Sequence, residues 1–238
     1  MKEGRQSFSR GTSFVRTAML LGVLVNLVFI GLAVLGADSP LWMPGGVVYV
    51  VEATVPLVIY GLIFFWAPSL RVMQGGRALQ SGTTIGVIGG VLHIIHRALE
   101  NFGRRVGENT TVTLAFMLGG FMIWGLAGYL VAREPGDIKA GILASCWSAM
   151  VSVVMAVTFG LALMTANIPS PSYVATWSEF KQSGWANAHA FAITNSFEAV
   201  LSHLVIGPIA GAVFGLLGVG IAKLLPGRGV LSGFPSDR

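Results

Sequence analysis

Charge is scarce in this chain. Only 11% of its 238 residues are Asp, Glu, Lys or Arg, against 54% hydrophobic residues and a mean hydropathy of +0.75. A water-soluble domain could not cover its surface with so few charges, which sets the soluble class aside. Cysteine is nearly absent as well: Cys146 stands alone inside an apolar run. No intrachain disulfide can form, so thiol usage says nothing of the compartment. The sequence holds no P-loop, dinucleotide fingerprint, HExxH, CxxC or Ser-His-Asp arrangement, so an enzyme would have to work by unmarked chemistry. This weighs toward a non-enzyme without deciding it, and a metal- or haem-dependent enzyme stays among the readings below. The formal charge of +5 is spread over segment ends rather than gathered on one amphipathic face, which argues against a nucleic-acid partner. The short alternating segments of an outer-membrane barrel are missing too.

What the chain does have is apolar runs of membrane-spanning length, about 18 residues or more. They predict an all-α polytopic helical membrane protein with six transmembrane helices, at residues 14–36, 46–66, 81–105, 112–132, 138–166 and within 186–225. A basic N-terminal segment, 1–13, precedes the transmembrane domain, 14–225, and a turn-rich tail, 226–238, follows it. The first run lacks a small residue two positions before Ala37, so it reads as a retained anchor rather than a cleaved signal. Between the fifth and sixth runs, Ser170-Pro171 resembles a helix start and Gly184 a stop, with Tyr173, Trp177 and Phe180 at helical spacing. This predicts one interfacial amphipathic helix over 170–184, an anchor or a lid. The last run is too long for one straight span, so it must project from the bilayer or bend at Gly207-Pro208.

Eleven of the fifteen Lys and Arg residues fall on one side of a six-span arrangement and three on the other, with Arg97 inside a span end. By the positive-inside rule both termini are cytoplasmic, in a bacterial-type inner membrane. The pair Arg104-Arg105 is the departure, and could mark an anion site.

Two runs carry the features that point to function. At about 100° per residue, Gly82, Gly86 and Gly90 share an arc of roughly 80°, and His93, His96 and Glu100 project on or beside it. In the last run Gly207, Gly211 and Gly215 form a matching stripe, with His203, Ser196 and His189 near it. Small-xxx-small stripes of this kind bring helices close together. We expect the two stripes to cross each other and to diverge into an outward polar pocket lined by Glu52, His93, His96, Glu100 and His203. Glu198 projects about 180° away and is left out of that pocket.

Ionisable groups at such depth persist where they meet a partner, a cavity or a ligand. The first reading is a small-solute or ion binding and transport protein. The second is a structural or accessory subunit that meets membrane partners or its own copies through glycine and aromatic faces. The third is a metal- or haem-binding redox protein, with His93, His96 and His203 as ligands for a transition metal or haem b. Interhelical hydrogen bonding of the histidines is the plain alternative to all three.

Overall fold

A computed structural model describes residues 2–67, 77–102, 110–133 and 138–225, with side chains from residue 13 onward. Among these residues the chain is all-α, and six helices are long and apolar enough to cross a membrane. They are α1 (Lys2–Leu35), α2 (Gly46–Trp66), α3 (Arg77–Phe102), α4 (Thr110–Ala132), α5 (Ile138–Thr165) and α8 (Ala188–Leu224). Two short helices, α6 (Pro171–Val174) and α7 (Ser178–Ser183), precede α8. The protein is thus an integral membrane protein of the six-span helical class. Arg104, Arg105 and the tail 226–238 lie outside the described residues.

Helix α5 is the axis of the bundle. Two thirds of its most apolar window is buried (67%), whereas no other span exceeds 33%. Its composition explains this, because Gly141, Ala144, Ser145, Ser148, Ala149, Ser152 and Ala156 are all small and all buried. Small residues on every side of a helix let several neighbours approach its backbone at once.

That axis corrects the expected crossing of glycine stripes: both stripes pack on α5, not on each other. A β-carbon at Gly82 would lie 2.7 Å from the Ala144 carbonyl, and one at Gly86 would lie 2.7 Å from Val151 Cβ. On α8, the same addition at Gly207, Gly211 or Gly215 would lie 2.7 Å from Val153, 2.8 Å from Ala149 and 2.7 Å from Ser145. At about 100° per residue the two sets of α5 contacts fall on nearly opposite sides of the helix. The intervening helix keeps the stripes apart.

Hydrogen bonds tie the spans to this axis. Trp124 Nε1 donates to Ser152 Oγ at 3.0 Å, and that hydroxyl lies 2.8 Å from the Gly86 carbonyl. Ser145 Oγ donates to the Trp124 carbonyl at 2.6 Å. Trp147 Nε1 reaches Thr83 Oγ1 at 2.9 Å. From α1, the fully buried Asn26 donates to Thr158 Oγ1 at 2.8 Å. With no water to satisfy polar atoms in the hydrocarbon, each such pairing fixes one helix against another.

Helix α8 runs unbroken through Pro208 for 37 residues. Proline lacks the N–H that would bond the carbonyl four residues back, which is Leu204. Tyr60 of α2 supplies the missing donor, its hydroxyl 2.8 Å from the Leu204 oxygen and buried. At the other end Asn187 caps α8, its Oδ1 accepting from the His189 and Ala190 amides. Its Nδ2 donates to Asp38 Oδ1 at 2.6 Å, and His189 Nδ1 lies 2.8 Å from Asp38 Oδ2. The turn after α1 is thereby pinned to the start of α8. These two hydrogen bonds, that from His189 first, hold the Asp38 carboxyl below its usual range.

The segment expected to be one interfacial helix over 170–184 is helical in two pieces. Trp177 is extended (φ −64°, ψ 139°), while Gly184 ends α7 in the left-handed conformation (φ 73°) as its residue type suggests. A continuous helix would have put Tyr173, Trp177 and Phe180 on one face. With the break, Tyr173 and Trp177 stay together, ring centroids 6.0 Å apart, and Phe180 instead reaches Phe191 on α8 at 5.5 Å. Burial of Val174 (0% exposed) and that aromatic contact outweigh the weak cooperativity of so short a helix.

Candidate functional site

Toward the C-terminal end of α3 the side chains lengthen and the bundle hollows. Two cavities lie there. The larger, of about 700 Å³, is walled by α3, α5, α6 and α8, and includes Asn101, Val157, Leu161, Tyr173, Trp177 and Asn195. The smaller, of about 280 Å³, is walled by α3, α4, α5 and α8, and includes His93, His96, Phe116, Phe121 and Trp124. Arg97, Glu100 and His203 line both, together with Ala156 of α5. They form the partition between the chambers.

Their spacing comes from the helix. Residues three and four apart are neighbours on one face, so Arg97 Nη1 reaches Glu100 Oε2 at 3.1 Å and His96 Nε2 lies 3.4 Å from Glu100 Oε1. The His96 contact misses hydrogen-bond geometry, and that nitrogen is buried without a hydrogen-bond partner. His96 stacks on Phe116 with centroids 4.9 Å apart. Across the gap, Arg97 Nη2 lies 3.4 Å from His203 Nε2, and His203 Nδ1 lies 2.7 Å from the Ala199 carbonyl. A carbonyl only accepts and a guanidinium only donates. His203 is therefore the tautomer that donates from Nδ1 and turns its Nε2 lone pair toward Arg97.

His93 sits deeper. It lies against Trp124, centroids 5.7 Å apart, in room that Gly120 provides: a β-carbon there would come within 2.8 Å of His93 Cε1. Among the described residues it makes no hydrogen bond.

The sequence-predicted residues thus separate. His93, His96, Glu100 and His203 come together around the cavities, but Glu52, on α2, lines neither of them. His189 pairs with Asp38 instead of joining the cluster. Glu198 is exposed. Arg97 is the residue that sequence reasoning passed over. It projects about 60° from Gly82 on the same arc, but its charge was assigned to a span end.

For a metal, the ligand set His93, His96 and His203 does not converge. Among the described residues no group of three or more His, Cys, Asp or Glu is arranged to hold a metal ion. His203 has one nitrogen on a carbonyl and the other facing a guanidinium, whose positive charge occupies the direction a cation would take.

Fold and site together define a six-span helical membrane protein with two chambers at one end that share a charged wall. Compared with known families, with curated proteins and with solved structures, the chain matches none.

Proposed function

We propose that the protein binds a small polar or ionic solute in the two adjoining cavities and carries it across the membrane. The supporting observation is the shared wall of Arg97, Glu100 and His203. At that wall Arg97 holds Glu100 by an ion pair at 3.1 Å and His203 by a contact at 3.4 Å. A volume near 700 Å³ falls within the range of about 300–1,000 Å³ typical of small-molecule sites. With the positive-inside orientation, in a bacterial-type inner membrane, the larger chamber faces the exterior and both termini the cytoplasm.

Proteoliposomes carrying the purified protein test this reading with labelled anionic, cationic and neutral solutes. Uptake of at least one class should exceed that of empty liposomes. It should fall about tenfold in Arg97→Ala, since one lost contact to a charged group is worth about 1.5 kcal/mol. Uptake unchanged in an Arg97→Ala protein that still folds would remove the proposal.

A further inference from the structure

Resting on that reading, we infer that the solute is an anionic amphiphile: one carboxylate or phosphate head on an aliphatic tail, with Arg97 as the residue that takes the head. Among the described residues, Arg97 carries the only permanent positive charge on the wall of either cavity. A guanidinium has five N–H donors in a planar fork suited to two oxygens of one anion. Among the described residues, its side chain makes contacts only through Nη1 to Glu100 and Nη2 to His203. Both partners are acceptors, so both stand where an anion's oxygens would go.

Glu100 has somewhere to turn, because His96 Nε2 lies 3.4 Å from its second oxygen and has no hydrogen-bond partner of its own. A cationic solute has no such opening. Among the described residues the one carboxylate on these walls is Glu100, and Arg97 and His96 flank it on both oxygens. Beyond the charged partition, the smaller chamber offers Phe116, Met117, Phe121, Val153 and Ile206, an apolar surface for a tail rather than for a second polar group. Head chemistry and tail chemistry lie side by side.

Calorimetric titration of the full-length protein, in nanodiscs of phosphatidylcholine alone, would use octanoate, octan-1-ol and octylamine as probes. Octanoate should bind about tenfold or more tightly than either of the others. Arg97→Gln should weaken it by about tenfold or more, and Glu100→Gln should strengthen it by removing the competing carboxylate. That opposite pair of signs is the signature, because an ion pair with a merely structural role would lose affinity from either side. Octylamine binding that weakens in Glu100→Gln would overturn the anionic class and leave a solute site standing. Failure of all three probes to bind would overturn this inference, while uptake of an unrelated solute in the liposome assay would show the broader reading to be sound. Nanodiscs with phosphatidylglycerol separate the sources. Weaker apparent octanoate affinity there identifies a membrane lipid as a competitor for Arg97, and unchanged affinity identifies a free carboxylate; both keep the head chemistry.

Discussion

Helices α3 and α8 are dense along one length and hollow along the other, and the same helical faces produce both conditions. Where those faces carry Gly82, Gly86, Gly207 and Gly211, added β-carbons would strike α5 at 2.7 to 2.8 Å. Where they carry His96, Arg97, Glu100 and His203, long side chains hold the walls apart and leave cavities of about 700 and 280 Å³. Side-chain length along one stripe therefore decides whether two helices meet an axis or enclose a chamber. Glycine makes the contrast plain, since its meaning changes with position. Gly160 lies on α5 itself and lines the larger cavity, and a β-carbon there would meet nothing within 4 Å.

The sharpest way to break this comparison is to add one carbon at the dense end. Gly211→Ala would press on Ala149 Cβ, Cys146 Cα and the Ser145 carbonyl, two of which are backbone atoms that cannot rotate away. We expect a loss of about 3 kcal/mol, the upper end of ordinary overpacking. Thermal unfolding in detergent would register it, and an unchanged midpoint would mean that α8 does not sit on α5 as described. Next in size is Tyr60→Phe, which leaves the Leu204 carbonyl buried without a donor, at a cost of about 2 kcal/mol. If Pro208→Ala were made in the same background, the helix could satisfy that carbonyl itself, and most of the loss should be recovered.

At the hollow end the effects shrink. Asp38→Asn should cost about 1 kcal/mol or less, because the carboxyl is partly exposed and its hydrogen bonds are screened. The sign with pH follows from the lowered native value. The native state favours the ionised carboxylate, so the stabilisation is complete well above 3.8 and fades as pH falls through the lower folded-state value. The gap between wild type and Asp38→Asn should close on acidification, and a gap of constant size would refute the linkage. Smallest of all is Gly160→Ala. It removes backbone freedom from the unfolded chain without a clash, so unfolding should become harder by about 0.5 kcal/mol. Destabilisation there would mean that the cavity wall is closed over Gly160.

Much of this was legible in the sequence. The six spans follow from run length, and the shared face of His93, His96 and Glu100 follows from helical phase, whereas His203 joins them without the stripe crossing that was expected to bring it there. The partner of the glycine stripes was not legible. A stripe says that something comes close without saying what, and α5 advertises itself poorly because alanine and serine do the same work as glycine without catching the eye. Glu52 fell outside the cluster because depth along a span says nothing of direction around it, and α2 packs on α1 and α8. Arg97 was hidden by its own charge. Near a span end, a basic residue is as easily read for topology as for chemistry, and only the 3.1 Å contact to Glu100 separates the two.

The Tyr60 hydroxyl has a mechanical reach beyond local satisfaction of one oxygen. A proline in a long helix ordinarily creates a soft joint, where the halves can flex without breaking anything. Here the loose carbonyl is tethered to α2, so flexing α8 at Pro208 must either rupture that tether or drag α2 along. Motions of the chamber wall that carries His203 are thereby geared to a helix that touches neither cavity.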